Sequence, residues 1–131
     1  MPPFRFPDRL LLAALLALSS SVHACRFAAS TPPDEWYKWS QALFAGDVTA
    51  VVQDRAKGLD VVSVGVVETF KGPNAATTTV EIPSRMWADC RLPQPAVGDR
   101  VLVALSPNSD ALVIPLPPSL AEQLRARRKA M

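Results

Sequence analysis

Histidine is almost missing from this chain, and cysteine is scarce. Of 131 residues, one is a histidine, His23, and two are cysteines, Cys25 and Cys90. His23 falls in a stretch that reads as a leader, so the mature chain would carry no imidazole to act as a base or a metal ligand. This absence excludes His-dependent catalysis and a His-built metal centre, and no cofactor is expected. An excess of either charge is also missing. Lysine and arginine number 14 against 12 aspartates and glutamates, a formal net charge of +2, which provides no overall field for gathering nucleic acid. The strand-like segments lack the mixed aromatic and basic face that stacks single-stranded bases. The chain has no internal repeat and no low-complexity linker. Its 13 prolines argue against long uninterrupted helices. The carboxylates that stand out, Asp89 beside Cys90 and the pair Glu68 and Glu81, have no spacing that brings them together for acid–base work. They read as solvated surface charges, and the chain reads as a non-enzyme.

What the chain does have begins with an address. Arg5 and Arg9 precede the apolar run Leu10 to Leu18, and Ser19 to Ala24 follow as a polar tail with small residues before Cys25. This is the pattern of a signal peptide over residues 1–24, and its apolar run is too short to cross a bilayer as a helix. Cleavage before Cys25 would place the mature chain in the periplasm or outside the cell. Two cysteines in an oxidising compartment usually pair, and here only one connectivity exists, Cys25 to Cys90. The loop so closed spans roughly 65 residues, worth about 4 kcal/mol in the chain-entropy model. Two alternatives stay open. The thiols can remain separate, or Val22-His23-Ala24-Cys25 can serve as an approximate lipobox. Cys25 would then be lipidated, the protein tethered to a membrane and Cys90 unpaired.

Along the mature chain, the Pro32-Pro33 pair suits the first turn of a helix capped by Thr31 or Asp34. Helical spacing of Trp36, Trp39 and Leu43 extends that helix through Phe44, to a stop at Gly46. Asp47 to Arg55, Asp60 to Thr69, Thr77 to Ile82, Val101 to Leu105 and Ala111 to Ile114 read as five strands, separated by Gly, Pro, Asn and Asp turns. Gly65 in the second strand suggests a bulge, which would reset the alternation and keep Glu68 off the face of Val62, Val64 and Val66. Ser84 to Val97 reads as a loop carrying Met86, Trp87 and Cys90, with Trp87 as a cover over the disulfide. Ser119-Leu120-Ala121-Glu122 matches a capping box opening a C-terminal helix, whose basic end, Arg125 to Lys129, reads as solvated. The expected fold is all-β, a five-stranded OB-like barrel with a short helix before the first strand and a helix at the C-terminus. The domain covers residues 25–118, followed by the basic helix at 119–131, and a monomer is expected.

The motifs Phe44-Ala45-Gly46-Asp47-Val48, Val67-Glu68-Thr69-Phe70-Lys71-Gly72-Pro73, Ala88-Asp89-Cys90 and Val97-Gly98-Asp99-Arg100-Val101 occur in that order. Together they resemble the netrin-like OB-fold domain of the tissue inhibitors of metalloproteinases and their small bacterial relatives. The resemblance implies a mature N-terminus at Cys25 bridged to Cys90. It implies a partner-contact ridge of Cys25, Arg26 and Phe27 beside Trp87, Ala88 and Asp89. It implies no intrinsic metal, but an α-amine and carbonyl at Cys25 able to chelate the catalytic zinc of a partner metalloprotease. The chain departs from the family at Phe27, which stands where the inhibitors carry a second cysteine, and at Arg26, which stands where they carry a small residue. The expected function is an exported, non-catalytic protein-binding module. The alternatives are a metalloprotease inhibitor acting through the Cys25 amine, and a lipoprotein lipidated at Cys25.

Overall fold

The computed structural model describes residues 27–108 and 110–131. The leader at 1–24, and Cys25 and Arg26 of the expected ridge, lie outside the described residues. The elements in order are helix α1 (Pro33–Trp39), strands β1 (Ala42–Asp54), β2 (Leu59–Lys71) and β3 (Thr77–Pro83), the one-turn helix α2 (Met86–Asp89), strands β4 (Arg100–Leu105) and β5 (Ala111–Pro115), and helix α3 (Pro118–Ala130). The strands form one antiparallel sheet in the order β3-β2-β1-β4-β5. The edge strands β3 and β5 approach one another. Among the described residues they share no ladder, so the sheet is not closed by hydrogen bonds into the expected barrel.

The first strand begins earlier than its sequence suggests. The helix ends at Trp39, with Ser40 as an extended C-cap, and Leu43, Phe44 and Gly46 belong to β1 rather than to a helix and its stop. The reason is burial on both faces. Leu43 and Ala45 enter one apolar cluster, while Phe44 and Val48 enter the other. A strand buried on both sides loses its polar alternation, and its spacing then imitates a helix. The first cluster lies under α1 and α3, with Trp36, Tyr37, Phe70, Leu102, Leu120 and Leu124 among its members. The second occupies the opposite face, with Val62, Val64, Val80, Ile82, Val101, Val103 and Val113, and it includes Trp87 of α2.

Bulges bend the long β1–β2 ribbon, but not at Gly65. Gly65 pairs in regular register with Asp47. The register slips instead leave Thr49 extra on β1, and Val67 and Phe70 extra on β2. The slip at Val67 does what the expected one would have done. Val62 and Val64 face the second cluster, whereas Phe70, beyond the slip, joins the first. Glu68 moves with it to the helix side, clear of the valine face. Gly46 is the place where glycine is required. A Cβ built there would stand 2.4 Å from both the Gly65 carbonyl oxygen and Val64 Cγ1, so β2 approaches β1 there more closely than any side chain allows.

Helix α3 closes the first cluster and is tied down at its basic end. Its N-cap is Pro117 and no side chain caps it, so the expected Ser119–Glu122 capping box does not form; Ser119 already lies inside the helix. Neither Thr31 nor Asp34 caps α1, whose N-cap is Pro32. The Thr31 hydroxyl accepts a hydrogen bond from the Ala28 amide instead. The basic end of α3 is not a solvated tail. Arg125 grips the Glu68 carboxylate with Nε–O distances of 2.9 Å, and Arg128 Nη2 meets the same carboxylate at 2.9 Å. Arg128 also donates to the Thr69 carbonyl at 2.8 Å and lies over the Phe70 ring, while Arg127 pairs with Asp34. The Tyr37 hydroxyl donates to the Leu124 carbonyl at 2.9 Å, and Lys71 Nζ donates to the Tyr37 carbonyl at 2.7 Å. These bonds join α1, α3 and β2 into one unit.

Candidate functional site

The loop from β3 to β4 carries the chemistry that the sequence singled out, and a residue on β2 holds it. Asp60, the second residue of β2, shares the inward face with Val62 and Val64 and is fully buried. A carboxylate there is costly unless its oxygens are satisfied. Ser84 Oγ donates to Oδ1 at 2.7 Å, and Trp87 Nε1 and Gln94 Nε2 donate to Oδ2 at 2.7 and 3.0 Å. The three donors come from before, within and after α2. Helix α2 and its exit are therefore pinned from beneath.

The exit from α2 is tight. Leu92 donates its amide to the Trp87 carbonyl at 2.8 Å, and Arg91 donates to Ala88 at 3.2 Å. These are the two bonds of a Schellman motif, which needs a left-handed residue and usually has glycine there. Here Arg91 takes that role, at φ 53°, the one non-glycine residue with positive φ among the described residues. The strain sits directly after Cys90. Met86 and Leu92, on either side of the turn, pack against both apolar clusters.

The expected ridge residues that the structure describes take three kinds of place. Ala88 and Asp89 are exposed on the outer side of α2, and Cys90 is half-buried beside them. Trp87 is buried, and its indole is committed to Asp60, so it supports the loop from below. Phe27 packs against α1, with its ring centroid 4.9 Å from that of Trp36 and 5.0 Å from that of Trp39. Cys90 is not a free thiol, and its expected partner Cys25 lies outside the described residues. Glu81 stands opposite Val61, and Glu68 opposite Ala45. That places them about seven residues apart along β2, roughly 20 Å, so they form no carboxylate pair.

A groove of about 220 Å³ is bordered by the later part of the same loop. Pro93, Gln94, Pro95, Arg100, Val113 and Pro115 are among its walls. Arg100 is held there by Asp47, with Nε 2.6 Å from Oδ1, and this hydrogen bond lowers the Asp47 carboxyl below its ordinary range. Gln94 belongs to both features, lining the groove while donating to Asp60. Sequence reasoning passed over Asp60 and Gln94 because their partnership spans 34 residues and leaves no local pattern. The one available signal was an aspartate in phase with the buried valines of β2. Among the described residues no group of three or more metal-binding side chains gathers, and no helix is long and apolar enough to cross a membrane. Compared with known proteins, the chain matches no family model and no curated relative.

Proposed function

We propose that this chain is an exported, non-catalytic protein-binding module of netrin-like OB fold. In this reading the leader at 1–24 is removed, Cys25 becomes the N-terminus, and a Cys25–Cys90 disulfide clamps it to the loop after β3. The strand order β3-β2-β1-β4-β5 and the approach of the two edge strands support a sheet curled towards an OB-type barrel, with its seam between β3 and β5. The observation that carries the functional reading is the build of the α2 loop. Ala88 and Asp89 are exposed on a turn that three hydrogen bonds to the buried Asp60 and a Schellman exit hold in one position. A pre-ordered surface loses little conformational entropy on binding, which favours recognition.

The alternative, inhibition of a zinc protease through the Cys25 amine, gains support from Phe27. Its contacts with Trp36 and Trp39 anchor the chain two residues after Cys25, at the position where the resembled family has a second cysteine. An aromatic anchor would then replace a covalent one. Lipidation at Cys25 would remove both the amine and the bridge.

The test uses the protein exported by its native host. A photo-crosslinking residue is placed at Ala88, and a control at Val52, which is 60% exposed on β1. The module reading expects a discrete crosslinked species from position 88 that is absent from position 52. Equal or no crosslinking at the two positions overturns it. One residue added before Cys25 separates the two modes: the amine mechanism loses inhibition of a zinc protease, while a module binding through α2 keeps its crosslink.

A further inference from the structure

We propose that Asp60 is the positioning residue of this contact surface, fixing Ala88, Asp89 and Cys90 without being touched by the partner. The proposal rests on the module reading for its functional meaning and on the hydrogen-bond geometry for its substance. Asp60 is the one fully buried carboxylate among the described residues, on the face whose cluster is otherwise apolar and mostly valine. Its two oxygens receive Ser84, Trp87 and Gln94 at 2.7, 2.7 and 3.0 Å. Those donors bracket the exposed residues in sequence, so the segment between them cannot slide without stranding a buried acceptor. Ser84 is fixed a second time, its amide donating to the Gly58 carbonyl at 2.9 Å in the β1–β2 turn. The surface is therefore referenced to the sheet at Asp60 and to the hairpin beside it. Gln94 carries the same reference to the groove wall, so α2 and the groove would shift together.

The donor set has a consequence for substitution. All three partners donate here; the Ser84 hydroxyl and the Gln94 amide oxygen could also accept, whereas the Trp87 indole can only donate. Asp60→Asn can therefore keep the network: its amide oxygen accepts from Trp87 and Gln94, while its NH₂ donates to Ser84 Oγ. Asp60→Ala keeps none of it. A residue acting only through bulk would be replaced as well by an apolar side chain of similar volume as by the amide.

The experiment reads the Trp87 indole N–H by ¹H–¹⁵N correlation, assigned with Trp87→Phe, together with crosslinking from position 88. Asp60→Asn is expected to keep the indole protected from exchange and the crosslink within about twofold of the parent, whereas Asp60→Ala lowers indole protection and crosslink yield by about tenfold or more. If Asp60→Ala does not fold, Gln94→Leu and Ser84→Ala each remove one donor, and partial losses in both readouts are expected. Undiminished indole protection in Asp60→Ala, or in both donor variants, overturns the proposal. So does Asp60→Asn behaving like Asp60→Ala. If the parent gives no crosslink at position 88, the module reading fails while the indole readout still decides the role of Asp60.

Discussion

Replacing Gly46 with alanine puts a methyl group where two atoms already stand. The new Cβ would lie 2.4 Å from the Gly65 carbonyl oxygen and 2.4 Å from Val64 Cγ1, whereas ordinary contact begins at 3.4 Å. Relief needs a displacement of about 1 Å. Neither neighbour yields easily: one is backbone in a paired strand, and the other belongs to a β-branched side chain that is 1% exposed. Overpacking of this kind costs about 1–3 kcal/mol, and the backbone clash places Gly46→Ala near the upper end. The lower entropy of the unfolded chain returns about 0.4–1 kcal/mol. A net loss of about 2 kcal/mol lowers the thermal midpoint of a domain of about 100 residues by roughly 10 °C. Gly65→Ala is the internal control. Its Cβ meets nothing closer than Thr49 Cγ2 at 3.6 Å, and its backbone is regular. It should melt at the parent's midpoint or up to about 1 kcal/mol higher in stability. Paired melts followed by circular dichroism decide the matter. A harmless Gly46→Ala, or a Gly65→Ala more damaging than Gly46→Ala, would refute the close approach of β1 and β2 at Gly46.

Three further outcomes follow from the same structure. The hydrogen bond from Arg125, joined by that from Arg128 and opposed by partial burial, lowers the Glu68 carboxyl below its ordinary value of 4.5. A lowered folded value means that the pairing stabilises fully above pH 4.5 and is lost as pH falls through the folded value. Glu68→Gln should thus melt below the parent at pH 7, with the gap closing in acid; a gap independent of pH contradicts the pairing. Arg91→Gly should raise unfolding free energy by about 0.5–1 kcal/mol in a denaturant titration, since it removes left-handed strain at φ 53° and adds some unfolded-state entropy; destabilisation would deny the strain. Cys25→Ser with Cys90→Ser should lower the thermal midpoint by several degrees, and an unchanged midpoint would exclude a structural bridge.

Four of the five strands were legible because each combines apolar alternation with a turn of its own, such as Lys71-Gly72-Pro73-Asn74 or Val97-Gly98-Asp99. The start of β1 was not, because Leu43 and Phe44 are both buried, on opposite faces, and no polar position marks the period. Two long-range partnerships were equally silent. The basic run Arg125–Arg128 looks like a solvated helix end until Glu68, 57 residues before Arg125, is brought beside it. Asp60 looks like a strand-end charge until Ser84, Trp87 and Gln94 converge on it. Sequence singled out the segment between β3 and β4 through Cys90 and Trp87. It did not reveal that Trp87 points inward, because the indole's partner lies 27 residues away, in β2.

The most direct test of the account is the intact mass of the mature protein, isolated unreduced from the host that exports it. The expected mass begins at Cys25 and falls short of the reduced chain by two hydrogens, the signature of a free N-terminus bridged to Cys90. A mass that retains residues 1–24, or that carries acyl groups on Cys25, would contradict the clamped module and leave the α2 loop without its proposed covalent anchor.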